Sequence, residues 1–413
     1  MEAAGPSSLP LVVMLDFLDE ADIEQKVLDG VARVECWKLN SEAEITEKVF
    51  LSLSLSLSHP PSSLTLPLLL FVILLLLVVG ACSSPTDRRG VSGVCLAPWL
   101  VVIVAPNLFH CCFSIDHIHQ ALNCLFGLVV ALGRETIEQK LKNTKVIVRI
   151  GAGFDSVDLA AAGERGIAVA NVPDYGVEEV ADSAMSHVLN LMRKTHQLAN
   201  MVSSTGGWPT HSAHGATRLR GKTFVIIGLG KIGKAAAMRA KAFGFQVLFY
   251  DPYVEDGLDK ALGIERVDTL QEAMVRADVL SLHCLLDRTN HHLLDSTAFS
   301  FLSSPERRQL KGEEDKGIFL VNTARGGLIE EAALLAALKD GRVRGAALDV
   351  LEEEPYVDGH LKDVPNLIIT PHTAFYSDEA FVEMRTKAAL EVKRVLTGES
   401  GPRNCVNKQF LRK

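Results

Sequence analysis

The 413-residue sequence has no dense block of lysine and arginine, no repeated CxxC pair, and no N-terminal run built like a secretory signal. The first absence, together with a formal net charge of -8, argues against direct grip on a phosphate backbone, so any role on nucleic acid would be indirect. The other two make a disulfide framework unexpected. The eight cysteines (Cys36, Cys82, Cys95, Cys111, Cys112, Cys124, Cys284 and Cys405) are scattered, and a reducing, cytoplasmic setting suits them. His110, Cys111, Cys112, His117 and His119 have metal-binding side chains, but adjacent cysteines without a second pair at loop spacing are poor tetrahedral chelators. No metal site is expected.

With 48% hydrophobic and 22% charged residues, the chain can bury the cores of two ordinary domains. From Glu135 onward, short β-branched runs alternate with helical patterns, which predicts βαβ units and a parallel sheet. Residues from about 51 to 132 differ: LSLSLSLSHPPSS is followed by a nearly continuous apolar run, Leu64 to Val79, and by two more apolar stretches. This block reads as an anomalous insertion. The run is barely long enough for a membrane span and contains Pro67, so membrane insertion is not expected.

Residues Lys222 to Asp251, KTFVIIGLGKIGKAAAMRAKAFGFQVLFYD, predict a buried strand, a glycine turn, an amphipathic helix stopped at Gly244, and a second strand. In such a unit Gly228 permits the tight turn, Gly230 lets the backbone approach a pyrophosphate, and Gly233 allows the helix to sit close to the strand. The pyrophosphate would meet free N–H groups at the helix start, beside Lys231 and Ile232. Asp251, ending the second strand, can accept hydrogen bonds from both ribose hydroxyls and would repel a 2'-phosphate, which favours NAD over NADP.

Further strands are predicted at Val279 to His283, Gly317 to Asn322, Gly345 to Val350 and Leu367 to Thr370. Ligands of a doubly wound sheet sit beyond the carboxyl ends of its strands, where Arg325, Glu354 and His372 fall. Oxidising a 2-hydroxy acid needs a base for the hydroxyl proton, and His372 titrates in the useful range. Glu354 can fix its tautomer, and Arg325 offers a planar fork to a substrate carboxylate.

The stretches VIVRIGAGFDSVD, GIAVANVPDYGVEEVADS, GLGKIG, LHCLLDRTNHHLL, VNTARGGL, RGAALDV, PNLIITPH and NCVNK resemble the D-isomer-specific 2-hydroxyacid dehydrogenase family, most closely its C-terminal-binding protein branch of NAD(H)-sensing transcriptional co-repressors. The resemblance covers about Thr144 to Asn407. It implies that Arg325, Glu354 and His372 form a catalytic trio, and that Asp349, Thr323 and Ala324 contact the cofactor. It also implies that Arg149, Gly151 and Gly153 present a loop to the substrate carboxylate. The implied architecture is a Rossmann NAD domain at 178–374. A discontinuous flavodoxin-like substrate domain accompanies it, made of 1–177, interrupted at about 51–132, and a return at 375–413. A homodimer, transcription-factor partners and a nuclear location belong to the co-repressor alternative.

Four departures from the family stand out. The apolar block replaces strands expected after the N-terminal PLVVMLDFLDEADIEQKVL, which puts the co-repressor peptide groove in doubt. Phe375 stands where co-repressors have a pocket-shaping tryptophan. Ser303 to Asp315, SSPERRQLKGEED, reads as a solvated surface loop without function. The chain ends at Lys413 without the long tail of animal co-repressors. The first and third segments resemble untranslated gene sequence read into protein, which a transcript spanning both would test.

Overall fold

A computed structural model describes residues 11–15, 22–37, 122–127, 132–141, 143–312, 315–356, 359–398 and 401–411. The apolar run Leu64 to Val79 and the His110 to His119 cluster lie outside them. Among the described residues no helix is long and apolar enough to cross a membrane, and no group of three or more His, Cys, Asp or Glu is placed to hold a metal ion. The chain divides into two compact units. One comprises Met1–Ile150, Ser156–Asn171 and Ala388–Lys413; the other comprises Gly151–Asp155 and Val172–Lys387.

The first unit holds five parallel strands: β1 (Leu11–Leu15), β2 (Arg33–Trp37), β3 (Leu122–Gly127), β4 (Val146–Arg149) and β5 (Ala168–Ala170). Their order, β2-β1-β3-β4-β5, is the flavodoxin-like one. Its core gathers Ile137, Leu141, Ile147, Ala161 and Val169. The chain's end returns to it: buried Asn407 accepts from the Val169 N–H at 2.8 Å and donates to the Ile167 carbonyl at 3.0 Å.

This sheet corrects the expected bounds of the insertion. Leu122–Gly127, placed inside the anomalous block by its composition, is the central strand of the sheet, hydrogen-bonded to β1 on one side and β4 on the other. Leu132 belongs to the core. Central parallel strands are commonly rich in apolar residues, so composition alone cannot separate a run such as LNCLFG from an apolar insertion.

The second unit holds seven parallel strands: β6 (Thr223–Ile227), β7 (Gln246–Tyr250), β8 (Glu265–Arg266), β9 (Val279–Leu282), β10 (Ile318–Asn322), β11 (Val343–Leu348) and β12 (Leu367–Ile369). Their order is β12-β11-β10-β9-β6-β7-β8. The chain thus winds outward in both directions from β6, and the order reverses between β6 and β9. Two apolar clusters cover the two faces, one containing Leu280, Leu320 and Ala346, the other Phe224, Phe249 and Val321. The helix Lys231–Ala242 buries Gly233, Ala236, Ala237 and Ala240, small side chains that let it lie close to its neighbours. This is the doubly wound α/β sheet that the alternating pattern predicts.

The segment read as a solvated loop is instead built into this unit. Ser304 caps a helix, Pro305–Lys311, with Pro305 in its first turn, where a missing N–H is harmless. Arg307 is fully buried. Its Nη1 donates to the carbonyls of Met274, Val275 and Ala277 at 3.1, 3.0 and 2.8 Å, which satisfies the open C-terminus of the helix Leu270–Arg276, and its Nε and Nη2 grip Asp315. A run of charges does not reveal which one turns inward; the orphaned carbonyls of another helix decide that.

Candidate active site

Where the strand order reverses, β6 runs into the glycine turn. Gly228 has φ +93, and a Cβ there would lie 2.6 Å from the Cys284 nitrogen, so backbone conformation and close approach both require glycine. A Cβ on Gly233 would lie 2.2 Å from the Gly228 carbonyl oxygen. Gly230 differs. Its φ of -71 is open to any residue, it is exposed, and a Cβ would meet nothing within 4 Å. The protein's own packing does not require glycine at this position, which leaves the backbone open to close approach from outside.

Around the turn, the Asp251 carboxylate accepts from the Leu229 N–H at 2.8 Å and the Tyr253 N–H at 2.9 Å, which fixes it beside the glycines. Lys231 is exposed and Ile232 half-buried at the start of the helix. Just past β10, the Thr323 hydroxyl is buried without a hydrogen-bond partner among the described residues, and the Ala324 N–H is taken by Asn322 Oδ1 at 3.0 Å. A buried orphan hydroxyl after β10 and an unforced glycine after β6, at the same carboxyl edge of the sheet with β9 between them, fit a dinucleotide with polar groups to offer. Burial pushes the Cys284 thiol up to about 12.

The loops after β10, β11 and β12 carry the other three residues. Asn322 is fully buried; its Nδ2 donates to the Arg325 carbonyl at 2.8 Å while its Oδ1 takes the Ala324 N–H, so one amide shapes the turn that presents Arg325. The Arg325 guanidinium donates from Nε and Nη2 to Asp155, at 3.1 to 3.2 Å, and from Nη1 to the Ala324 carbonyl at 2.8 Å. It lies over Gly153, where a Cβ would come within 1.5 Å of Nη2. Gly151 accepts from the Val172 N–H at 3.0 Å. Arg149 is the buried last residue of β4 in the first unit.

His372 Nδ1 and Glu354 Oε2 are 2.7 Å apart. The other Glu354 oxygen accepts from the Leu351 N–H at 2.9 Å. Burial works to raise the Glu354 carboxyl, but the hydrogen bond and charge of His372, the Leu351 N–H and the Arg325 charge outweigh it and hold the group below its ordinary range. The charges of His372 and, less strongly, Arg325 thus both act on the Glu354 carboxylate. Phe375 sets its ring edge-on to the His372 imidazole, centroids 6.2 Å apart, and to Tyr175 at 6.0 Å.

Asp349, 2% exposed, is a clamp for this loop. Its Oδ1 takes the Thr370 hydroxyl at 2.6 Å and the Thr373 N–H at 3.0 Å, its Oδ2 takes the Ala374 N–H at 2.9 Å, and its carbonyl takes the His372 N–H at 2.8 Å. His372 has φ +54, a conformation that these bonds hold in place. Buried His187 lies 3.4 Å from the Thr370 hydroxyl, and burial pushes its imidazole down against the opposing charge of Asp349. Sequence reasoning assigned no part to Asp155, Asn322, Thr370 or His187. Asp155 stands in the quoted RIGAGFD motif, but a carboxylate in a loop has no visible partner until Arg325, 170 residues away, arrives.

Residues 185–374 match the family model of the D-isomer specific 2-hydroxyacid dehydrogenase, NAD binding domain. C-terminal-binding protein 1 of Caenorhabditis elegans is 38% identical over 304 residues, 71% of this chain and 40% of that protein. D-3-phosphoglycerate dehydrogenase of Methanocaldococcus jannaschii is 40% identical over 266 residues, 64% of this chain and 48% of that protein. The chain thus spans less than half the length of these two relatives. A solved glyoxylate reductase from Paecilomyes thermophila shares the fold, with a TM-score of 0.71 at 20% identity, covering 97% of this chain and 99% of its own. The matched stretch, similar to the D-isomer specific 2-hydroxyacid dehydrogenase NAD-binding domain, is the part of the second unit that carries the glycine turn, Asp251 and the loops after β10, β11 and β12.

Proposed function

We propose that the protein is an NAD-dependent oxidoreductase that interconverts a small 2-oxo acid and its D-2-hydroxy acid. The observation that carries this reading is the 2.7 Å pair of His372 Nδ1 and Glu354 Oε2, coupled to the charge of Arg325. Bound NADH supplies the hydride. With Nδ1 committed to Glu354, His372 Nε2 is the atom that gives a proton to the carbonyl oxygen in reduction and takes it back in oxidation. Glu354 stabilises the imidazolium, and Arg325 receives the substrate carboxylate in place of Asp155. Gly228, Gly230, Lys231, Ile232, Gly233, Asp251, Thr323, Ala324 and Asp349 hold the cofactor in this scheme; Arg149, Gly151 and Gly153 serve the substrate. The reading is tested by steady-state kinetics of the purified chain on a panel of 2-oxo acids with NADH, and absence of turnover on all of them counts against it.

Two variants probe the trio. Gly153→Ala puts a methyl where the Arg325 guanidinium lies, so KM for the 2-oxo acid is expected to rise about tenfold or more while NADH binding, read by fluorescence, stays unchanged. An unchanged KM would remove Arg325 from the substrate site. Glu354→Gln addresses pH. Because the folded carboxyl lies below its ordinary 4.5, its pairing stabilises the protein above the unfolded carboxyl range and is lost only as pH falls through the lower folded value. Denaturant titrations from pH 7 to pH 3 should therefore find the wild type losing its advantage over Glu354→Gln in acid, and parallel curves would contradict the pairing.

A second reading, an NAD(H)-sensing co-repressor acting as a homodimer on transcription-factor peptides, is favoured by the 38% identity to C-terminal-binding protein 1. Capture by an immobilised PxDLS-type peptide that responds to NADH, with no turnover on the 2-oxo acid panel, would select it.

A further inference from the structure

We propose that the amino edge of the seven-stranded sheet carries a second binding site, for a small polyanion bearing two or more phosphate groups. A cavity of about 500 Å³ opens there, lined by Arg218, Lys222, Lys311, Lys316 and Arg344, with Met192 and Phe319 as its apolar wall. Lys222, Gly317 and Arg344 stand at the starts of β6, β10 and β11, and Asp278 directly precedes β9. The glycine turn, Thr323 and the trio lie past the opposite, carboxyl ends. Strands of four to six residues separate the two edges by roughly 15 Å, so one small ligand cannot serve both.

Charge decides the class of ligand. Two acids, Asp278 and Asp315, line the cavity among the described residues, and both are engaged. Asp315 is gripped by buried Arg307. Asp278 is shared between Lys311 at 3.1 Å and Lys222 at 3.7 Å, and it also accepts the Thr223 N–H at 2.8 Å. Arg218, Lys316 and Arg344 have no carboxylate within ion-pair distance among the described residues. Arg344 donates to Thr217 Oγ1 at 2.8 Å and to the Gly215 carbonyl, both neutral, and stacks 4.9 Å above the Phe319 ring. Burial lowers Lys311 despite Asp278 and lowers Arg344 outright, so both cations gain from added negative charge. Three unneutralised cations around a concave space suit phosphate groups, with arginine as fork and lysine as point charge. The volume is that of a small-molecule site.

The site uses residues that the dehydrogenase reading leaves idle. Lys311, Asp315 and Lys316 come from the segment Pro305–Lys316, where buried Arg307 anchors the helix that brings Lys311 to the cavity.

The test is isothermal titration calorimetry on the full chain saturated with NADH, at fixed ionic strength, with inorganic tripolyphosphate as probe and sulfate as monophosphate-sized control. NADH saturation closes the glycine turn to the probe, and the charges of Glu313 and Glu314, outside the described residues, enter the measured affinity. Tripolyphosphate is expected to bind at least tenfold more tightly than sulfate. The double variant Arg218→Gln/Lys316→Gln, both side chains exposed, is expected to weaken it tenfold or more with NADH affinity and Tm unchanged. A silent titration, equal binding of sulfate, unaltered binding by the double variant, or heat seen only without NADH would each overturn the proposal.

Discussion

Replacing His372 with alanine is expected to lower kcat by roughly two to four orders of magnitude while the affinity for NADH stays nearly constant, since only proton transfer is removed. The imidazole pairs its Nδ1 with Glu354 Oε2 at 2.7 Å, which in the proposed scheme leaves Nε2 for the substrate. Its side chain is 42% exposed, so alanine leaves no buried cavity. The backbone is the confounding factor, because φ is +54 there and alanine tolerates that region less well than asparagine. His372→Asn is therefore the companion variant, and it should lose turnover equally. Stopped-flow kinetics with a 2-oxo acid and NADH, beside NADH fluorescence titration, check both. Turnover within about threefold of wild type in either variant would exclude His372 as the proton donor.

The largest effect on stability is expected at Arg307. Arg307→Met leaves Asp315 without its partner and three carbonyls of Met274, Val275 and Ala277 without a donor, in a place where the arginine side chain has no exposure at all. Removing one member of a buried pair costs about 3 to 5 kcal/mol, and the 19% exposure of Asp315 argues for the lower end. In a unit of this size that corresponds to a fall in Tm of roughly 6 to 12 °C. Differential scanning calorimetry measures it. Arg307→Met/Asp315→Leu should recover part of the loss, because the stranded carboxylate is removed with its partner. A Tm within about 2 °C of wild type for the single variant would mean that the helix Pro305–Lys311 is not an integral part of the fold.

These two positions differ in how they could be found. His372 lies in PNLIITPH, at the carboxyl end of an apolar strand-like run and downstream of a complete βαβ unit, so its place in a doubly wound sheet follows from local pattern. Arg307 sits among like and unlike charges in SSPERRQLKGEED, where nothing local distinguishes it from Arg308 beside it.

The sequence by itself determined what periodicity and short motifs encode. The strand, glycine turn, helix and second strand from Lys222 to Asp251 appear in the structure as Thr223–Ile227, Lys231–Ala242 and Gln246–Tyr250. Six of the seven strands of the parallel sheet follow from the same alternation of buried runs and helices; the short edge strand Glu265–Arg266 does not. These features are local: a φ of +93 selects glycine at 228, and burial on both faces selects β-branched and aromatic residues in the strands. Tertiary structure alone decided the rest. It turned an apolar run at Leu122–Gly127 into the central strand of the first sheet, gave Arg325 its partner in Asp155, and made Asp349 the clamp beneath His372. It also drew Arg307 into the core and set unneutralised cations around one cavity. In each case the deciding partner lies far away in sequence. A hydrogen bond or ion pair across tens to hundreds of residues leaves no period and no motif in the chain that makes it.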